Sequence, residues 1–583
     1  MSSRHRSIVV DASHGLAGPE RITRMRISQV EINGFRGLAT TIELDSPLAL
    51  LVGANNAGKS ATIDALRSLF LPFADGMGNR WITPTDFTRV DDATTSERII
   101  IRATIVDVPE KQKGRLISLL APTKGADIAI LTLTSHMNES GRPTTRWYGG
   151  DLGQNEVEQI AREALRFVYL PALRDATADL RPGQSNRLAS LVSAHAADGH
   201  EDRTKLVDVI TQANQELEKI GSIAGAAKAI QDRLTGMTGH GPFAHKSALK
   251  FAEARFERII GSLQALAGGT RPERLSENGL GYNNLLYIAV LLSVLQESED
   301  IPLSLLLVEE PEAHLHPQLQ ALLQGYLEHL SDTRTQVIAT THSPQFASSA
   351  DVERITVLRR VDDLSPPSAH HLRHASLTKR EFAHLGRFLD ATKSMMLFSS
   401  AVILVEGIAE LLLVPVLLDR EGVSLREQGV TVVSVDGLAF DPFVKLFNPA
   451  GLPIKCALIS DSDPTSSTER SAKANLLLQL KSQTVSVFLA RTTFEWDLAE
   501  ANWQNPDLIL EALRRVHPRL ADAIARENFA RSSDFANRFL SAVEDEKGRF
   551  AQELSHILIE NPQETISTPP YLIGVGRFLQ DSK

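Results

Sequence analysis

The sequence predicts an α/β protein with largely parallel sheet, built as two successive strand series. Three observations predict it. Short apolar or β-branched runs such as LALLV, LSLLLV, TQVIA, AVILV and VTVVSV alternate with longer amphipathic patterns. Several of these runs end in glycine-rich or acidic turns, as strands of an open parallel sheet do where they line a crevice. The composition, 43% hydrophobic and 23% charged over 583 residues, suits several packed units and excludes a single small module, a disordered chain and a fibrous repeat.

The single cysteine, Cys456, rules out an intramolecular disulfide and disfavours a cysteine-rich zinc site, which fits a reducing cytoplasm, the expected location. No apolar run reaches the ~18 residues needed to cross a bilayer, so no membrane partner is expected. Most of the net charge of −10 sits beyond residue 400. Any nucleic-acid binding then needs a local basic groove, or metal ions that bridge carboxylates to phosphates.

In chain order, residues 1–24 contain acids and no continuous apolar core and are expected to be a loose extension rather than a targeting peptide. Residues 25–154 open the first strand series with MRISQVEINGF and LALLV. Residues 155–265 read as helices, for example EVEQIAREALRFV and TKLVDVITQANQELEKI, and suggest an inserted helical layer. Residues 266–378 resume the series with LSLLLV and TQVIA and end in RRVDDLSPPSAHHLRHAS, a candidate linker or surface excursion. Residues 379–583 begin with a helix, TKREFAHLGRFLDATKSMMLF, and carry the second series and the final helices.

The strand LALLV runs into GANNAGKS, residues 53–60, and then into the amphipathic helix ATIDALRSLF. This is a complete phosphate loop in its strand-loop-helix setting. Gly53 and Gly58 let the backbone curl through Asn55 and Asn56 so that its N–H groups face a polyphosphate. Lys59 supplies charge and Ser60 a Mg²⁺ ligand, so ATP is the expected cofactor. LSLLLV ends in Glu309 and Glu310, one able to hold Mg²⁺ through water and the other to polarise the attacking water. His342, after TQVIA, is placed to sense a γ-phosphate.

With LSENGLG, residues 275–281, these motifs resemble the ATP-binding-cassette ATPases of the SMC, Rad50 and RecF group over about 340 residues. The resemblance implies that Ser276 and Gly279 cap a nucleotide held by the opposite subunit, and hence a homodimer or higher oligomer through the ATPase and helical layer. Glu309 stands where aspartate is usual, and LSENG replaces the commoner LSGGQ.

In the second series, AVILV leads to Glu406 and a helix bearing Glu410, VTVVSV ends at Asp436, and IKCALIS ends at Asp461 and Asp463. Acids that end neighbouring parallel strands converge on one crevice, and an all-oxygen ligand set favours Mg²⁺ or Mn²⁺ over zinc. The pattern resembles the Toprim domain over about residues 400–500, which implies Glu406, Asp461 and Asp463 as metal-binding acids. Asp436 is read as an acid that supports the fold. Tyr571, distant from every motif in sequence, argues against covalent strand passage.

The order of the two units resembles the OLD (overcoming lysogenization defect) nucleases, including the Gabija-type ATPase-nucleases of phage defence. That resemblance implies Glu410 and Glu495 as further ligands of a two-metal site and Lys547 as a catalytic cation. The expected function is an ATP-regulated, metal-dependent DNA endonuclease, with DNA as substrate and a helicase-like partner as a possibility. The alternatives are a non-nucleolytic RecF-like ATPase, or an ATP-dependent assembly component of a defence complex. His314 and His316 are expected to serve structure or a subunit contact, and His370, His371 and His374 are not expected to be ligands.

Overall fold

Five consecutive residues of Leu48–Val52 are all buried, the signature of a strand covered on both faces. In the computed structural model this strand lies inside a six-stranded sheet with the spatial order Ser368–His371, Ile355–Arg359, Leu48–Val52, Thr335–Thr341, Leu303–Glu309, Leu165–Leu170. All neighbours are parallel except the first pair. The structure describes residues 24–581 apart from 74–79, 92–93, 173–179, 181, 184–185, 197–198, 269–270, 297–300, 332–334, 363–364, 438 and 465–469. The expected extension therefore lies, but for its last residue, outside the described residues.

A second six-stranded sheet, wholly antiparallel, packs over the first. Its order is Leu38–Glu43, Arg26–Phe35, Arg98–Val106, Ala129–Met137, Pro143–Gly149, Asn155–Glu156. Strict alternation of buried and part-exposed residues along Arg98–Val106 shows why: only one face meets the core. The helix Lys59–Leu69 lies between the sheets and buries Ile63, Leu66 and Leu69 in their shared apolar cluster.

The segment EVEQIAREALRFV does not form the expected helix. It gives only Gln159–Arg162 as helix, after which Leu165–Leu170 becomes the edge strand beside Leu303–Glu309. The apolar and aromatic run LRFVYL gains more from burial against the sheet than from helical propensity. The expected linker is likewise corrected. Ser368–His371 pairs with Ile355–Arg359 as a hairpin, and His371 is buried, with Nδ1 2.8 Å from Thr356 Oγ1 and Nε2 accepting from the Glu43 N–H. His374 Nε2 lies 2.8 Å from Glu43 and His370 Nε2 2.7 Å from the Ser368 hydroxyl, so these histidines are occupied by local structure. The long helix expected from Thr378 breaks at Asp390, which caps a new turn by accepting from the Lys393 N–H.

Helices do form at Glu201–Glu218 and Gly221–Thr238, and neither buries a residue. Leu206, Val209, Leu217 and Ile230 remain exposed on them, as does Ile220 in the turn between.

The second strand series forms a four-stranded parallel sheet in the order Val430–Ser434, Ala401–Val405, Lys455–Ser460, Val485–Leu489. One face of this sheet joins the core of the first parallel sheet. A single apolar cluster contains Leu50, Val52 and Val337 together with Val402, Leu404 and Leu458. The other face packs on the C-terminal helices through Ile403, Val405, Phe494, Phe539 and Phe550. Cys456 lies in the first of these interfaces with no exposed surface, and burial pushes its thiol far up. A thiol reagent such as DTNB is expected to leave Cys456 unmodified in the native chain and to label it fully in urea; native labelling on the mixing timescale would show that the two sheets separate.

Candidate nucleotide site and acidic cluster

The turn after Leu48–Val52 is shaped by conformations that side chains resist. Gly53 has φ +155° and a Cβ there would lie 2.3 Å from the Leu358 carbonyl oxygen, while Gly58 caps the following helix at φ +93°. Asn56 also adopts a left-handed conformation, and Asn55 and Asn56 are exposed along the loop. Lys59 folds back into this curl, its Nζ donating to the carbonyls of Gly53 (2.6 Å) and Ala54 (2.8 Å). Burial pulls its pKa down to about 8, with Glu310 and Glu312 opposing that shift.

Those acids come from the neighbouring strand ends. Glu309 closes Leu303–Glu309, and burial raises its pKa while hydrogen bonds from Tyr169 and Ser60 work against the rise. Glu310 turns away at φ +42° and meets His342, whose Nε2 lies 3.2 Å from Glu310 Oε1. Burial and Lys59 both lower the His342 pKa, which favours a neutral ring. Ser60, Lys59, Glu309, Glu310 and His342 are thus gathered at one edge. Ser276 and Gly279 are exposed on the turn before the helix Leu280–Gln296.

Glu312 was missed by the sequence reading although it stands two residues beyond Glu310. It is buried, accepts from the Thr341 hydroxyl and the His342 N–H, and keeps Oε2 without a hydrogen-bond partner among the described residues. His314 adopts a left-handed conformation and His316 Nδ1 accepts from the Gln318 N–H.

In the four-stranded sheet, Glu406 directly follows Ala401–Val405, and Glu410 lies in the first turn of Ile408–Arg420. Asp461 and Asp463 follow Lys455–Ser460. Glu495 lies at the start of Phe494–Ala501, whose first N–H donates to Asp461 Oδ1 at 2.9 Å. Lys547 opens Lys547–Glu560 and reaches Glu495 Oε2 at 2.8 Å. Burial pushes Asp461 up to about 8, with Glu410 and Glu495 adding to the shift and Lys547 opposing it. Burial likewise raises Glu410, with Glu495 and Glu406 adding. For Lys547, burial works against the charge, yet Glu495, Asp461 and Glu410 outweigh it and hold the pKa above the usual.

Asp461 therefore lies within electrostatic reach of Glu410, Glu495, Asp463 and Lys547, and Glu410 within reach of Glu406, Glu495 and Lys547. The group is oxygen-only and short of positive charge, which suits a hard divalent cation. Among the described residues no three His, Cys, Asp or Glu side chains are already drawn into an ion-holding set. Lys473 contributes instead: its Nζ lies 2.5 Å from Glu406 Oε1, while the Ser460 hydroxyl donates to Oε2. Neither residue follows from the motif pattern. Asp436 stands apart, paired with Lys393 at 2.9 Å and with the Ser434 hydroxyl.

Tyr571 is not remote from this cluster. Burial drives its hydroxyl far up, with Asp497, Asp461, Glu410 and Glu495 adding, and the oxygen is inaccessible and without a hydrogen-bond partner among the described residues. The argument against a nucleophilic tyrosine is thus burial rather than distance.

Comparison with known proteins agrees with both halves. Residues 25–113 and 166–347 match the AAA ATPase domain family, and residues 397–463 match the TOPRIM domain of proteins like the overcoming lysogenization defect protein. The chain joins an AAA ATPase domain to an OLD-like TOPRIM domain. The second match includes Glu406, Glu410, Asp461 and Asp463 and stops short of Glu495 and Lys547. The chain is 22% identical to endonuclease GajA of Bacillus cereus over 55% of its length and 56% of that protein, so the match spans little more than half of that relative. It is 25% identical to the OLD nuclease of Thermus scotoductus, over 71% of this chain and 78% of that one. It is 24% identical to the Old nuclease of Escherichia phage P2, over 75% and 77%. No helix among the described residues is long and apolar enough to cross a membrane.

Glu495 has a side-chain exposure of 3% against 34% for Lys547, so removing the lysine strands a buried acid. Lys547→Met is expected to lower stability by roughly 1–3 kcal/mol, discounted from the cost of a fully buried pair because the lysine is part-exposed. Adding Glu495→Gln should restore most of that loss. Urea unfolding at neutral pH reads both, and an unshifted midpoint in Lys547→Met shows that the pair is not formed in solution.

Proposed function

We propose that the chain is an ATP-controlled, divalent-metal-dependent DNA endonuclease. The observation that carries the reading is the gathering of Glu406, Glu410, Asp461, Asp463 and Glu495 at one end of the TOPRIM sheet, with Asp461 pushed up to about 8 by burial and its acidic neighbours. Three relatives, matched over 55%, 71% and 75% of this chain, are named nucleases.

In this reading Glu406, Glu410, Asp461, Asp463 and Glu495 hold two Mg²⁺ or Mn²⁺ ions. The ions, when bound, lower the pKa of water and offset charge on the attacking and leaving oxygens of a phosphodiester. The Phe494 N–H orients Asp461, and Lys547 keeps its charge at neutral pH beside Glu495 and faces the charge that develops on the phosphate. Lys473 must release Glu406 for that carboxylate to serve as a ligand.

The phosphate loop binds ATP, with Lys59 leaving the Gly53 and Ala54 carbonyls for the phosphates, Ser60 and Glu309 holding the accompanying Mg²⁺, and Glu310 with His342 facing the γ-phosphate. Ser276 and Gly279 cap the nucleotide of a second copy. The exposed apolar residues of Glu201–Glu218 and Gly221–Thr238 are covered in that homodimer. The effect of ATP binding is transmitted to the nuclease half through the shared core. The Leu358 carbonyl abuts Gly53, and Arg359 donates at 2.6 Å to the carbonyl of Ser399, two residues before the strand that leads to Glu406.

Supercoiled plasmid incubated with Mg²⁺ or Mn²⁺, with and without ATP, is the direct test. The wild type is expected to nick or linearise it and EDTA to stop this. Asp461→Ala should lose about 100-fold or more of the activity while ATP binding persists. Lys59→Ala should weaken ATP binding and leave the acidic cluster folded. Cleavage retained by a folded Asp461→Ala chain rejects the nuclease site and leaves a DNA-associated ATPase.

A further inference from the structure

Glu309 occupies a position where the cassette resemblance implies aspartate, and its extra methylene carries the carboxylate further from the strand. In the structure that carboxylate is held. The Tyr169 hydroxyl donates a 2.6 Å hydrogen bond to Glu309 Oε2. Tyr169 lies on the parallel edge strand Leu165–Leu170 in register with Leu307. Residues two apart on a strand point to the same face, so Glu309 and Tyr169 emerge side by side.

The ring itself is pinned. The Arg67 guanidinium lies 3.7 Å from its centroid, within range of a cation–π contact, and Arg67 pairs with Asp64 at 2.7 Å. Arg67 and Asp64 belong to the helix that begins with Lys59 and Ser60. The same helix therefore presents Ser60 to the Glu309 carboxylate, with which it forms a hydrogen bond, and braces the tyrosine behind that carboxylate. An ionised carboxylate has about four lone-pair sites, so a single bond to Tyr169 leaves capacity for Ser60 and an ion.

We propose that Tyr169 is a positioning residue of the nucleotide site, its hydroxyl turning the longer Glu309 carboxylate toward Ser60 so that the two hold the Mg²⁺ that accompanies ATP. The inference rests on the reading of residues 53–60 as the ATP loop. Tyr169 touches neither nucleotide nor metal. Its effect is on how strongly Mg²⁺ improves nucleotide binding rather than on nucleotide binding itself. The Glu309–Tyr169 pair also accounts for the departure from aspartate: the longer acid and its phenolic partner belong together.

The experiment measures binding of a fluorescent ATP analogue to the full chain in Mg²⁺ and in EDTA, with melting temperatures to confirm folding. Tyr169→Phe is expected to keep the affinity measured in EDTA and to lose about tenfold of the Mg²⁺ enhancement, equivalent to about 1.4 kcal/mol. In a Glu309→Asp background the shorter carboxylate no longer reaches the tyrosine, so Tyr169→Phe should then add less than about a twofold effect, as a coupled pair requires. Unchanged Mg²⁺ enhancement in Tyr169→Phe, or an equal loss in both backgrounds, overturns the proposal while the ATP loop stands. Absence of nucleotide binding by the wild type overturns the ATP reading and the proposal with it. Should Tyr169→Phe fail to fold, Arg67→Met keeps the hydroxyl and unpins the ring. A smaller loss of enhancement then supports the proposal and none overturns it.

Discussion

Carboxylates buried at the ends of parallel strands carry a desolvation cost that only nearby positive charge or donated hydrogen bonds can offset. Both halves of this protein are arranged around that constraint. In the ATPase half, Glu309 and Glu312 are raised by burial while Lys59, itself pulled down to about 8, sits against the loop carbonyls. In the TOPRIM half, Asp461 is raised by burial and by Glu410 and Glu495, Glu410 by burial and by Glu495 and Glu406, and Lys547 answers Glu495. Each site gathers more acid than its lysines can balance: Lys59 in the first, Lys547 and Lys473 in the second. A fold that needed only stability would do as well with apolar groups at these positions.

The two acid-rich sites belong to one packed body. The cluster that contains Leu50 and Val337 of the ATPase sheet also contains Leu404 and Leu458 of the TOPRIM sheet. Close-packed interiors transmit displacement because they have little free volume. A polar tie reinforces the joint: Arg359 donates to the Ser399 carbonyl. Asp436, paired with Lys393 and Ser434, serves the internal packing of the second unit rather than the acidic crevice. The nucleotide loop is also bound into this joint, because Gly53 admits the Leu358 carbonyl at a distance that any side chain would forbid.

How much was legible depended on whether a residue's partner lay nearby in sequence. The phosphate loop reads directly because a strand, a glycine turn, a lysine and a helix start must be contiguous to form it. The acids after Ala401–Val405 and Lys455–Ser460 read almost as well, because parallel strand ends converge by geometry. LRFVYL was misread because six residues of mixed apolar character are compatible with helix or strand until a neighbouring strand is known. SAHH looked like a linker because its pairing strand, Ile355–Arg359, completes only a hairpin edge. Tyr571 lies more than a hundred residues from Asp461 in sequence, and only the packing of the last helix brings it beside the acids.

The amino-acid sequence by itself determined two strand series, the phosphate loop with the acids after LSLLLV, and the acids that follow Ala401–Val405 and Lys455–Ser460. Each of these is encoded by local spacing and by the rule that parallel strands end together. Tertiary structure alone decided which donor meets which acid: Lys473 on Glu406, Lys547 on Glu495, and the Tyr169 hydroxyl on Glu309. Such contacts depend on side chains of separate elements reaching within about 3 Å of each other, a precision that no period or motif in a linear chain records.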